Sequence, residues 1–134
     1  MRPRDRKITG ALAVVIFSTL LAIDCTRQIH PGSVSTLDSQ AYDLLLSSDT
    51  AIEQAKLDYD AGKFDAVPIS KEKVKAVIND AVAAHNTLRA SWLLYRHSVQ
   101  PGGVSSQELF DQVNHDVNTL NAAIVSLVQA VGGK

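Results

Sequence analysis

Cysteine occurs once in the 134 residues, proline four times and glycine seven times, and aromatic side chains make up only 5% of the chain. One cysteine excludes an intrachain disulfide framework and any cysteine-based zinc cluster. So little glycine and proline, with 46% hydrophobic residues, argues against a disordered chain. Scarce aromatics speak against an aromatic-rich β protein. No charge of one sign dominates either: 13 Lys+Arg against 14 Asp+Glu leave a net −1, with no electrostatic case for a nucleic-acid partner. A glycine-rich phosphate loop, a G-x-S-x-G elbow and an H-E-x-x-H pair are also missing. These gaps argue against an enzyme, a cofactor or a metal. The length that remains suits one modest core.

The charge that is present is unevenly placed. Arg2, Arg4, Arg6 and Lys7 against Asp5 give residues 1–7 a net +3, while everything from Thr26 onward sums to −3. Between them Ile8 to Ile23 (ITGALAVVIFSTLLAI) carries no charge until Asp24. A basic head before an apolar run is the arrangement of an export signal. As a helix the run would span roughly 24 Å, somewhat short of the ~30 Å hydrocarbon core. The basic flank predicts a cytoplasmic N-terminus, with the residues after 25 on the far side.

Cys25 stands directly after this run. Leu21-Ala22-Ile23-Asp24-Cys25 resembles a bacterial lipobox in placing an aliphatic stretch before cysteine, although Asp24 occupies the position where a small residue belongs. The resemblance implies lipidation of Cys25. Three modes follow: an uncleaved anchor through residues 8–23, a lipoprotein held at Cys25, or cleavage after Ala22. Residues 26–35 (TRQIHPGSVS) have no periodicity, and Pro31-Gly32 marks them as a tether. The expected organisation is therefore a signal or anchor at 1–25, a tether at 26–35 and a folded domain at 36–134.

That domain reads as all-α. Pro31, Pro68 and Pro101, like the glycines, fall between periodic segments, and no stretch alternates with period two. The first helix is expected from about Thr36 to Ala61, with Leu37, Ala41, Leu44, Ser48, Ala51, Ala55 and Leu57/Tyr59 on its apolar stripe and Gly62 closing it. The second should start with Ser70 as N-cap and an Ile69–Val74 staple, and end at Pro101-Gly102-Gly103. Its stripe is Val74, Val77/Ile78, Ala81, His85, Leu88, Trp92, Tyr95 and Val99, widened by Val82, Leu93 and Leu94. The third is announced by Ser105-Ser106-Gln107-Glu108, read as a capping box with a Val104–Leu109 staple, and stops at Gly132-Gly133. Short linkers predict an antiparallel up-down-up three-helix bundle with coiled-coil-like packing.

Candidate chemistry is thin. Glu108, Asp111 and His115 share one helical face, but with Asn114, Asp116 and Asn118 beside them that face reads as solvated rather than metal-binding. His85 reads as a part-buried packing residue. Asp58-Tyr59-Asp60 lacks the spacing of a calcium loop and reads as an acidic helix end. Trp92, Leu93, Leu94 and Tyr95 form the bulkiest apolar cluster, read mainly as core with part available to a partner.

The leading functional expectation is an exported, membrane-tethered bundle, its domain on the periplasmic or extracellular side, acting through contacts with another envelope protein. The layout of a short N-terminal membrane segment before a periplasmic helical region is also similar to that of the inner-membrane spanin family, which implies a phage lysis subunit. Capped hairpins and a Pro-Gly tether differ from the long uninterrupted helices of such a rod. A third class is a small-ligand or haem-binding bundle, for which no axial ligand pair is evident.

Overall fold

The computed structural model describes residues 31–66, 68–99 and 106–132. The apolar run of residues 8–23, Cys25 and the first half of the tether lie outside the described residues. Among the described residues all regular structure is helical: α1 (Thr36–Asp60), α2 (Pro68–Ser98) and α3 (Gln107–Gly132). Each helix packs against both others, so the elements form a three-helix bundle.

Serine starts α1. Ser35 has an extended backbone, and its Oγ accepts the Asp38 N–H at 3.1 Å, pairing one of the helix's orphan donors. The far end closes as a Schellman motif, with the Lys63 N–H donating to the Asp58 carbonyl at 3.2 Å and the Gly62 N–H to the Tyr59 carbonyl at 3.0 Å. This closure needs a left-handed residue, and Gly62 supplies it with φ +75°. A Cβ at Gly62 would also lie 2.7 Å from Asp65 Oδ2.

The other two starts differ from the sequence expectation. Helix α2 begins at Pro68, so Ser70 lies inside its first turn rather than at the cap. Proline suits the first helical position, because its φ is preset and its missing N–H would be unpaired there anyway. The Ile69 side chain of the expected Ile69–Val74 staple lies outside the described residues. In α3 the cap is Ser106, whose Oγ accepts the Leu109 N–H at 3.0 Å while its carbonyl accepts the Phe110 N–H at 3.2 Å. That register leaves Glu108 one position short of where a capping box requires it.

The core has two layers. Leu37, Ala41 and Leu45 of α1 meet Leu88 and Tyr95 of α2 and Val113 and Leu120 of α3. Further along, Ile52 and Ala55 meet Val74, Ile78, Ala81 and Leu127. The first half of α1 thus faces the second half of α2 and the first half of α3, which makes successive helices antiparallel. On α1 the buried rhythm is Ala41, Leu45, Ser48, Ile52, Ala55, so Leu45 and Ile52 replace Leu44 and Ala51 at the centre of the stripe. Steps of three and four residues describe both stripes equally well, and only the neighbouring helices choose between them.

Candidate functional site

One carboxylate organises the end of the bundle where the chain enters α1. Asp38 is 2% exposed. Its Oδ1 accepts the Trp92 indole N–H at 2.5 Å and lies 3.5 Å from the Arg96 Nε, and its Oδ2 accepts the Val34 N–H at 2.9 Å. Around it, the Ser35 hydroxyl and the Tyr95 hydroxyl share a hydrogen bond of 2.9 Å, and Arg96 donates to the Gly32 carbonyl at 3.3 Å. Residues 32–38 are thereby tied to the last two turns of α2. A buried charge is stable only with partners of this kind.

This network positions Trp92. The Arg96 guanidinium lies 5.3 Å from the centre of its ring, and the Tyr42 ring is tilted against it at 6.2 Å. Beside the indole runs a groove of about 270 Å³, with Tyr42, Leu45, Leu46 and Asp49 of α1 on one side and His85, Arg89 and Trp92 of α2 on the other. Leu46 is 61% exposed on its rim. Arg89 makes no ion pair among the described residues, and Asp49 stands across the groove on α1. The groove therefore combines an aromatic floor, an aliphatic edge and a charge of each sign. Such a surface suits a peptide segment with one apolar anchor and flanking polar groups.

The four residues singled out in the sequence are not brought together. Successive helical positions turn by about 100°, so Trp92 to Tyr95 fan around most of α2. Tyr95 is buried in the core, with its ring edge-on to Phe110 at 6.2 Å. Trp92 is half-buried in the network, whereas Leu93 and Leu94 are exposed by 43% and 60%. Leu93 lies one turn beyond Arg89 and is not among the residues that line the groove. Cys25 lies outside the described residues.

Glu108, Asp111 and His115 are all exposed, and Asp111 accepts from the Gln107 side chain at 2.8 Å. No group of three or more His, Cys, Asp or Glu able to hold a metal ion occurs among the described residues. His85 is half-buried at the groove. The solvated-face reading fails at Asp116, which is 4% exposed and buried between helices. Neither Asp116 nor Asp38 is marked by its sequence context. Both acidic residues follow helical spacing onto an inward face; Asp38 takes its side-chain partners from α2, and Asp116 takes its one partner from Gln112 on its own helix.

At the Schellman turn, hydrogen bonds from the Lys63 ammonium and then the Gln54 amide hold the Asp58 carboxyl below the usual carboxylate range. Lys63 Nζ is 2.6 Å from Asp58 Oδ1. In the same connection Lys71 bonds to Asp65, and this hydrogen bond raises the ammonium's pKa above the ordinary lysine value. Among the described residues no helix is long and apolar enough to cross a membrane. No protein-family model matches the chain, nor does any curated protein or solved structure.

Proposed function

We propose that this chain is exported, stays tethered to a membrane through its first 25 residues, and uses its bundle to bind another protein of the cell envelope without catalysing a reaction. The +3 head, the uncharged run from Ile8 to Ile23 and the tether support the first two parts. The observation that carries the third is the groove beside Trp92, where aromatic and arginine side chains stand next to exposed Leu46. Residues of these types dominate binding energy at protein interfaces, because rigid rings and a planar guanidinium bury large area at small entropic cost.

The test is site-specific photo-crosslinking in cells that carry the full chain. A photoreactive residue at Leu46 should give one discrete adduct, and the same probe at Leu57, which is 58% exposed on the same helix, should give none. Arg89→Glu should abolish the Leu46 adduct while leaving the helical circular dichroism unchanged. Equal labelling from Leu46 and Leu57, or an adduct indifferent to Arg89→Glu, would remove the groove from the account.

A further inference from the structure

A second cleft lies on a different side of α2 from the aromatic groove. It measures about 270 Å³, sits on the seam between α2 and α3, and is lined by Asp80, Ala83, Ala84, Thr87, Asp116 and Thr119. Asp116 is the notable wall. It is 4% exposed; its Oδ1 accepts the Gln112 amide at 3.0 Å, and its Oδ2 has no hydrogen-bond partner among the described residues. A buried carboxylate oxygen left unpaired is destabilising, and native structures rarely keep one without a reason.

The remaining polar groups share one polarity. Thr87 donates its hydroxyl proton to the Ala83 carbonyl at 3.0 Å, and Thr119 donates to the His115 carbonyl at 3.0 Å. Both hydroxyl protons are committed, so each threonine presents only acceptor lone pairs to the cleft. Asp80 adds a second carboxylate at its exposed edge. The side chains that line this space therefore include two carboxylates and two threonines, and none of them has a free donor. Ala83 and Ala84 keep that space open.

We infer that this cleft binds the primary ammonium group of a small organic amine, with Asp116 as its buried counter-charge. An ammonium brings three N–H donors, which matches Asp116, Asp80 and one threonine oxygen. A metal ion fits less well. Calcium takes six to eight oxygen ligands at short distances, and a volume of 270 Å³ suits an alkyl chain rather than a bare ion. The inference is independent of the aromatic groove and of the membrane tether.

The experiment is thermal unfolding of the full-length chain in detergent, at constant physiological ionic strength, with 1,4-diaminobutane or calcium chloride added. The diamine should raise the Tm of the wild type in a saturable way, because a ligand that binds only the folded state stabilises it by mass action. Asp116→Asn should abolish the response. Asp80→Asn should weaken apparent affinity at least tenfold, and because Asp80 is exposed this variant decides the question even if the first folds poorly. Glu53→Gln, which removes the same charge from exposed α1 surface, should respond like the wild type. A diamine effect that survives both aspartate substitutions, or that Glu53→Gln reduces equally, would overturn the site. A calcium effect abolished by Asp116→Asn would overturn the amine assignment.

Discussion

Asp38 receives the Val34 N–H, the Trp92 indole N–H and the Arg96 guanidinium from two separate stretches of chain. All three partners are donors, and an ionised carboxylate offers only acceptors, so the match is complete. Asparagine has nearly the same shape but turns an NH2 toward either the Val34 amide or the indole. Asp38→Asn should therefore cost about 2–4 kcal/mol, in the range seen when one partner of a buried charged network is removed. Trp92→Phe should cost about 1–3 kcal/mol, and the double variant should cost less than the sum, because both changes break one bond. Urea unfolding followed by circular dichroism measures these costs. Trp92 is the sole tryptophan, so the fluorescence of the Asp38→Asn protein reads the site directly. Stability within about 0.5 kcal/mol of the wild type, the range of an ordinary surface change, would contradict the assigned role. At this scale the sequence is least legible. An aspartate in the first turn of a helix is explained well enough by the helix dipole, and nothing local reveals that its partner is 54 residues away.

Helix ends were more legible than helix faces. Gly62 is the one residue type that closes a Schellman turn without strain, and its position after an apolar stripe marked the end of α1 correctly. The starts of α2 and α3 were each placed wrongly, at Ser70 and at the Ser105 capping box. Helix α2 starts two residues before Ser70 because a proline is preset for the first helical position, and α3 is capped by Ser106 rather than Ser105 because adjacent serines are locally equivalent cap formers. The α1–α2 connection also carries a pH signature. Asp58 has a lowered folded-state pKa, so its contribution to stability is present above the usual carboxylate value and is lost as pH falls through the lowered one. Lys71 is raised, so its contribution is present below the ordinary lysine value and is lost as pH rises through the raised one. Amide resonances of Gly62 and Lys63 should accordingly titrate with an acidic midpoint below that of an isolated aspartate, and Lys63→Ala should move the midpoint upward. A midpoint at the ordinary value would mean that the clasp does not persist in solution.

At the scale of the whole bundle, the all-helical architecture of the described residues followed from the 3.6-residue periodicity and from the absence of proline inside the periodic segments, Pro68 standing at the first position of α2. What could not be read was the pairing of faces. Leu45 and Ile52 took the inward positions from Leu44 and Ala51, Leu93 and Leu94 turned outward, and Asp116 turned inward, because each depends on what the neighbouring helix presents. The aromatic groove is a product of that pairing, since its two walls are about 40 residues apart in sequence. The proposed placement of this bundle outside the cytoplasm rests on the N-terminal charge pattern. A charge in the middle of an apolar run costs roughly 2.5–3.5 kcal/mol on insertion, which makes Ile16→Arg the sharpest perturbation of that pattern. Cys25→Ser separates the two ways of anchoring, since loss of membrane association would assign it to lipid and retention to the apolar run itself. The most direct measurement is protease accessibility in spheroplasts of a bacterial host, combined with membrane fractionation. The account predicts that wild-type protein sediments with membranes and loses its bundle to externally added protease, and that the Ile16→Arg form stays protected inside. Wild-type protein confined to the cytosol, or protected from protease exactly as the Ile16→Arg form is, would contradict it.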